Sequence, residues 1–340
     1  MLKYNKRNKI IYIPYPEKKS NINEYTLNMI KILQEQYSVT GKIAKPVHIG
    51  DILHTKAIFL NWIEDKLNAE MKIQLMIYRI LGVKIIWVFH NKYPHDIIQS
   101  KEIAQNMLWL ARNSTTIVVH SKTSCQYIPD ADKNKKKAVY VPHILYESHN
   151  DNMDTSDIRK KYGISENDFL YTIFGSIKPY KNIENGIKTF QRMRLQNSKL
   201  LITGSPYNSG YAKKIKTLCS EDSDIILDLR FISDENLDGI IDISDVILLP
   251  YKEGSSMNSG VMIKAFSKGK TVIAPDICMA RDLAENKFFY IYKKSFQDAM
   301  MQAYQNGKKI NKYMGDMAKN YIYKNNNREI VKKRLDKILK

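Results

Sequence analysis

FLYTIFGSIKPYKN, residues 169–182, holds the change of period on which the fold turns. Phe169–Phe174 is a continuous apolar run, Gly175 ends it, and a helical pattern takes over from about Ile183 to Arg194. A short apolar strand feeding directly into a helix is the unit from which parallel sheets covered on both faces are built. Lys178 and Lys181 stand one turn apart at the mouth of that helix. They are either surface decoration or a clamp for phosphate, and the rest of the chain has to decide between the two.

The same rhythm extends in both directions. Toward the N-terminus it reads as a strand at Lys9–Tyr15, a helix near Glu24–Gln36, a helix at about Ala69–Ile80 and a strand at Val83–Phe89. A helix around Ile98–Leu110 and strands at Thr115–Val119 and Ala138–Val141 complete that half. Toward the C-terminus come the strand Leu200–Thr203, a helix near Tyr211–Cys219, and strands at Asp224–Leu227, Val246–Leu249 and Thr271–Ala274. This alternation predicts an α/β protein, and 340 residues are more than one core usually holds. YESHNDNMDTS, residues 146–156, is polar and lies between complete runs, so it is the expected linker. Two Rossmann-like, doubly wound parallel-sheet domains over 1–150 and 151–318, facing a cleft, are the expectation.

Bulk properties narrow the class. A hydrophobic content of 44% with 26% charged residues is that of a globular chain, and no apolar run reaches bilayer length. Cys125, Cys219 and Cys278 are odd in number and far apart, which speaks against a disulfide framework or a zinc site and for a cytoplasmic location. The net charge of +19 favours anionic partners: nucleic acid, acidic lipid or phosphorylated small molecules. Residues 1–150 hold 22 Lys+Arg against 12 Asp+Glu, so the excess divides almost evenly at that boundary.

In doubly wound sheets ligands bind beyond the carboxyl ends of the strands. Gly175, Gly204, the Pro250–Gly260 loop and His90 all follow strands directly. A Ser/Asn/Gly loop opening a helix presents backbone N–H groups and the positive end of the helix dipole to an anion. A plain cap by Asn258 or Ser259 is the alternative for that loop alone. Three post-strand glycine loops with two lysines together point to a nucleoside-diphosphate site. No DxD pair ends a strand, so neither a metal nor a cofactor beyond the substrate is expected. The His90 imidazole can bond a sugar or move a proton, and Asp96 and Glu24 are the candidate carboxylate bases.

FGSIKPYKNIENGIKTF resembles the FGxIRPYKGxxxLIxAF segment of GT-B nucleotide-sugar glycosyltransferases, and LLITGSP (200–206) is similar to their strand-then-glycine segment. SDVILLPYKEGSSMNSGVMIKAFSKGKTVIA (244–274) is similar to their donor-binding signature, and LNWIEDK and VFHNKYPHD to segments of bacterial polysaccharide-building members. The resemblance implies the GT-B architecture, with residues 319–340 crossing back to the N-terminal domain. It implies that Lys181 contacts the donor diphosphate, with Lys178 where relatives often carry Arg. Glu253 lies near the first acid of the family's E-x7-E motif, but the second acidic position is Lys264. That departure leaves retention and inversion both open, and a Ser-Gly loop followed by a helical lysine is closer to β-mannosyltransferase-like relatives.

The resulting expectation is a glycosyltransferase of hexosyltransferase type. It moves sugar from a nucleoside diphosphate to a glycan or polyprenyl-phosphate-linked acceptor in cell-surface polysaccharide building. Gly175, Lys178, Lys181, Gly204, Glu253, Ser259 and Gly260 would bind the donor; His90, Asp96 and Glu24 would do the chemistry. The basic charge adds the option of peripheral association with an anionic membrane, at the inner face of the plasma membrane. The alternatives are a nucleotide-sugar epimerase of the same fold and, on charge alone, a nucleic-acid-binding protein. Against the last, no recognisable RNA or DNA module interleaves the basic residues with aromatics, so no nucleic-acid partner is expected.

Overall fold

The computed structural model describes residues 7–15, 23–43, 48–90, 92, 100–146, 155–252 and 254–340. The chain divides into two compact units: unit 1 is Met1–Ile144 with Asn326–Lys340, and unit 2 is Leu145–Asn325. The expected linker 146–156 lies mostly outside the described residues.

Unit 1 carries β1 (Lys9–Ile13), β2 (Ser38–Thr40), β3 (Thr55–Asn61), β4 (Lys84–Val88), β5 (Thr116–Val119) and β6 (Ala138–Tyr140). They form one parallel sheet in the order β2-β1-β3-β4-β5-β6. Ile10, Ile11, Tyr12, Ile58, Phe59 and Trp87 are fully buried, so apolar residues run on consecutively instead of alternating, as a sheet covered on both faces requires. Sequence periodicity had missed β3. Its core, Ala57–Leu60, is short and directly continues the helix Ile49–His54, so no turn signal announces it.

Unit 2 carries β7 (Phe169–Phe174), β8 (Ser198–Thr203), β9 (Ile225–Asp228), β10 (Val246–Leu248), β11 (Thr271–Pro275) and β12 (Tyr290–Tyr292). The order β12-β11-β10-β7-β8-β9 is the dinucleotide-fold order 3-2-1-4-5-6 read within the unit. The direction of winding reverses between β7 and β10, whose pairing sets Val246 beside Tyr171. Each unit is thus a doubly wound Rossmann-like sheet, the pair of folds from which the GT-B architecture is made.

The helix Phe296–Asn325 belongs to unit 2 and bends at Gly307, where φ is +68°. The helix Arg328–Leu339 belongs to unit 1. It buries Val331, Leu335 and Leu339, and Arg328 and Lys332 both pair with Glu35. Exposed pairs of that kind contribute little, so the apolar burial holds the helix in place. This return segment also moves the charge. Unit 1 holds 28 Lys+Arg against 13 Asp+Glu, or +15, and unit 2 holds 26 against 22, or +4. The near-even division at residue 150 does not survive the true course of the chain.

Candidate functional site

Three loops of unit 2 converge at the switch point. Gly175 follows β7 with φ +90°, a conformation that favours glycine. Gly204 follows β8 with φ +133°, and a Cβ placed on it would lie 2.0 Å from the Gly175 carbonyl oxygen. The two backbones therefore touch, and no side chain fits between them. Ile177 ties the loops further, donating its N–H to Ser205 O at 2.8 Å and accepting from Tyr207 N at 2.8 Å. The loop after β10 joins from the other side, where the Lys252 N–H donates to Tyr180 O at 3.1 Å.

Lys181 ends the single 3-10 turn Pro179–Lys181, and the left-handed Asn182 then opens the helix Ile183–Met193. That turn folds the lysine back under β7. Lys181 is only 5% exposed, and its Nζ donates to Phe174 O at 3.4 Å. The same Nζ lies 3.2 Å from the point where a Gly175 Cβ would sit, with Val261 Cγ2 3.7 Å from that point. Burial, reinforced by the charge of Lys178, holds the Lys181 ammonium down to about 8. Lys178 itself is exposed.

Ser259 caps the helix Gly260–Ser267, its Oγ accepting from Met262 N at 3.3 Å and lying 3.2 Å from Tyr251 Oη. The capping expected of Asn258 or Ser259 falls to Ser259. Gly260 makes room for Tyr146, whose hydroxyl would be 2.7 Å from a Cβ at that position. One turn on, the buried Lys264 pairs with the fully buried Asp238 at 3.3 Å. Lys268 repeats the contact on Asp242 at 2.9 Å, so two ion pairs bind this helix to Asp234–Ile243. Where the resembled motif has a second acid, this chain thus has a cation committed to a carboxylate of its own.

Unit 1 gathers a second cluster, at the carboxyl ends of β3 to β6. Asn61 ends β3, and His90, His120 and His143 follow β4, β5 and β6. Tyr25, one residue into the helix Glu24–Gln34, stands among them with ring centroids 5.1–5.2 Å from all three imidazoles. His120 donates from Nδ1 to Val141 O at 2.8 Å, which leaves Nε2 to accept from the Tyr25 hydroxyl at 2.8 Å. His143 donates from Nδ1 to Ile144 O at 2.9 Å. His90 Nε2 bonds Asn61 Oδ1, Asn61 Nδ2 donates to Thr26 Oγ1 at 3.3 Å, and the Trp62 ring stacks on His90 at 4.2 Å. Burial keeps all three neutral: His120 is held down to about 3, His143 to about 4, and His90 well below its usual range.

The family model for glycosyl transferases group 1 matches residues 154–329, more than half of the chain. The chain belongs to this family. Over 132 residues it is 25% identical to a GDP-mannose:glycolipid 4-beta-D-mannosyltransferase of Xanthomonas campestris pv. campestris, a match covering 38% of this chain and 37% of that relative. Among solved structures, Anabaena Alr3699/HepE in complex with UDP-glucose aligns at a TM-score of 0.74 with 11% identity, covering 97% of this chain and 99% of that one. A glycosyltransferase from Rickettsia africae ESF-5 aligns at 0.69 with 14% identity, over 99% and 98%. At these identities the structures bear on fold, and the fold is GT-B.

Within this group 1 glycosyl transferase, Gly175, Lys181, Gly204, Ser259 and Gly260 come together at one switch point, with Lys178 at its exposed rim. Glu253 and Asp96 lie outside the described residues. Glu24 opens the Glu24–Gln34 helix just after the Asn23 cap. His90 stands in the unit 1 cluster. His120 and His143 were missed, though TTIVVH and AVYVPH place them within three residues of a strand end, as VFH places His90. Among the described residues no group of three or more His, Cys, Asp or Glu could hold a metal ion, and no helix is long and apolar enough to cross a membrane.

Proposed function

We propose that this family member transfers a hexose from a nucleoside-diphosphate sugar to a glycan or polyprenyl-phosphate-linked acceptor in cell-surface polysaccharide building, at the cytoplasmic face of an anionic membrane. The observation that carries the donor part is the buried Lys181 ammonium at the β7/β10 switch point, between Gly175 and the start of the Gly260–Ser267 helix. Cleavage of the sugar–phosphate bond leaves charge on the departing diphosphate. A cation and a helix N-terminus fixed beforehand stabilise that charge without reorganising at the moment of reaction. Gly175 and Gly204 let the backbone approach the phosphates, Ser259 orients the helix start, and Lys178 is the second cation at the rim.

The unit 1 cluster is the acceptor side of this reading. With its Nε2 hydrogen committed to Asn61, a neutral His90 offers the Nδ1 lone pair to a hydroxyl of the acceptor. Being so hard to protonate, it suits hydrogen bonding better than proton uptake. The general base is then a carboxylate, Asp96 or Glu24. The glycolipid acceptor and β-linked mannosyl product in the Xanthomonas relative's name support a lipid-linked acceptor and a β-linkage here. Lys264, which removes the second acid of the resembled E-x7-E motif, bears on the linkage alone and speaks against retention.

A thermal-shift panel of UDP, GDP, ADP and dTDP sugars tests the donor. The right nucleotide at roughly 100 times its dissociation constant stabilises by about 2.7 kcal/mol. Incubation with that donor and a lipid-linked acceptor should then yield glycosylated lipid. A free epimerised nucleotide sugar formed without acceptor would establish the epimerase instead.

A further inference from the structure

We infer that the outer face of helix Ala69–Ile80, with the adjoining helix Ile49–His54, is the surface by which unit 1 docks on an anionic phospholipid bilayer. The long helix has two apolar faces. Leu75 and Tyr78 are buried in unit 1, whereas Ile73, Ile77 and Ile80 recur on the opposite side at helical spacing. Ile80 is 76% exposed and Ile73 63%, and Leu81 continues the face at the helix end. The neighbouring helix adds Ile49 and Leu53, 67% and 56% exposed. Tyr78, on the buried side of the long helix, donates to Asp51 at 2.5 Å and ties the two helices together from beneath. Six of the twelve large apolar side chains exposed among the described residues lie on these two helices and the residue after them. Exposed singly such residues need no explanation, but a set recurring along one helix face marks a contact surface.

Charge decides the occupant. The Arg7 guanidinium donates to Leu81 O at 2.8 Å and Gly82 O at 2.7 Å, which plants a cation at the edge of the apolar face. Lys72 and Arg79 flank the same helix, and the Asp51 carboxylate is neutralised by Lys9. Glu70 is the one acid within that helix. The unit around the face carries +15. A second copy of the chain would bring the same charge to the contact and be repelled. A bilayer with acidic headgroups accepts both parts, apolar side chains into the headgroup boundary and cations at the phosphates. This placement rests on the membrane-borne acceptor of the functional reading and names the surface that meets it.

Flotation of the full chain with phosphatidylcholine vesicles, with and without phosphatidylglycerol, tests the surface. The wild type should float with the acidic vesicles only, less so as salt is raised. Ile73→Ser/Ile77→Ser/Ile80→Ser, which changes exposed side chains, should lower vesicle partition by ~10-fold or more with thermal stability and nucleotide binding kept. If the triple variant floats as well as the wild type, the membrane reading stands and this surface is wrong. Absence of wild-type flotation overturns both, with donor binding measured separately. A wild-type dimer that the triple variant converts to monomer would assign the face to a second copy instead.

Discussion

The proposed contact of Lys181 with the donor diphosphate makes a quantitative link between pH and donor binding. Its ammonium, held down to about 8 by burial and by Lys178, is half deprotonated just above neutral pH in the free protein. A diphosphate seated against Nζ pulls the group back toward lysine's ordinary range near 10.4. The sign follows: the bound state holds more protons, so affinity weakens as pH rises through 8 and levels off near the bound value. Between about pH 7 and about pH 9.5, those two values give a loss of about 25-fold, or ~2 kcal/mol. Toward the top of this range the base N–H of GDP or UDP itself begins to ionise, and the Lys181→Met variant reports that contribution separately. Isothermal titration of GDP or UDP across these pH values, in buffers of different ionisation heat, would show the weakening and an uptake of about one proton per nucleotide at the upper end. Lys181→Met should bind weakly and keep only the smaller slope that ionisation of the base brings. A wild-type affinity flat across the window, or an equal slope in Lys181→Met, would refute the contact.

Other consequences are read by simpler means. Lys181→Ala should lower turnover by ~100-fold or more with unchanged far-UV circular dichroism, as expected for losing one preorganised stabiliser of developing charge; wild-type turnover would count against the clamp. Gly204→Ala forces a methyl to within 2.0 Å of the Gly175 carbonyl, so denaturant unfolding should show a loss of more than ~2 kcal/mol together with weakened nucleotide binding. His120 and His143 fold as neutral rings, so the unfolded chain takes up their protons first, and stability falls from about pH 6.5 downward until the folded values near 4 and 3 are passed. From about pH 7 to about pH 5 the two together cost ~4 kcal/mol, measurable by urea unfolding; a level stability across that window contradicts the neutral cluster. Lys264→Met takes the cation from beside the buried Asp238 carboxylate and should cost ~3–5 kcal/mol, with recovery in the Lys264→Met/Asp238→Leu double variant.

Much of this was readable in the chain because parallel strands buried on both faces are written as apolar runs. Phe169–Phe174 and Val246–Leu248 announced themselves, and the glycines after them marked the switch-point loops. β3 did not, because its apolar core is only four residues long and a helix joins it without a break. The burial of Lys181 was not legible either: a 3-10 turn, set by Pro179 and the left-handed Asn182, turns a lysine of a polar segment inward. His120 and His143 follow strands visibly, but only the three-dimensional order of β4, β5 and β6 brings them around Tyr25. Nor did one sequence show that Lys264 is answered by Asp238, 26 residues earlier and on another helix. The even division of charge failed for a similar reason, since the C-terminal helix belongs to unit 1.

The central claim is that the β7/β10 switch point of unit 2 holds the donor diphosphate, and a crystal structure with bound GDP or UDP tests it most directly. The account predicts phosphate oxygens within about 3 Å of Lys181 Nζ and of the backbone N–H groups at Gly260 and Val261, close over Gly175. Density placing the diphosphate elsewhere, with Lys181 still turned under β7 onto Phe174 O, would contradict it.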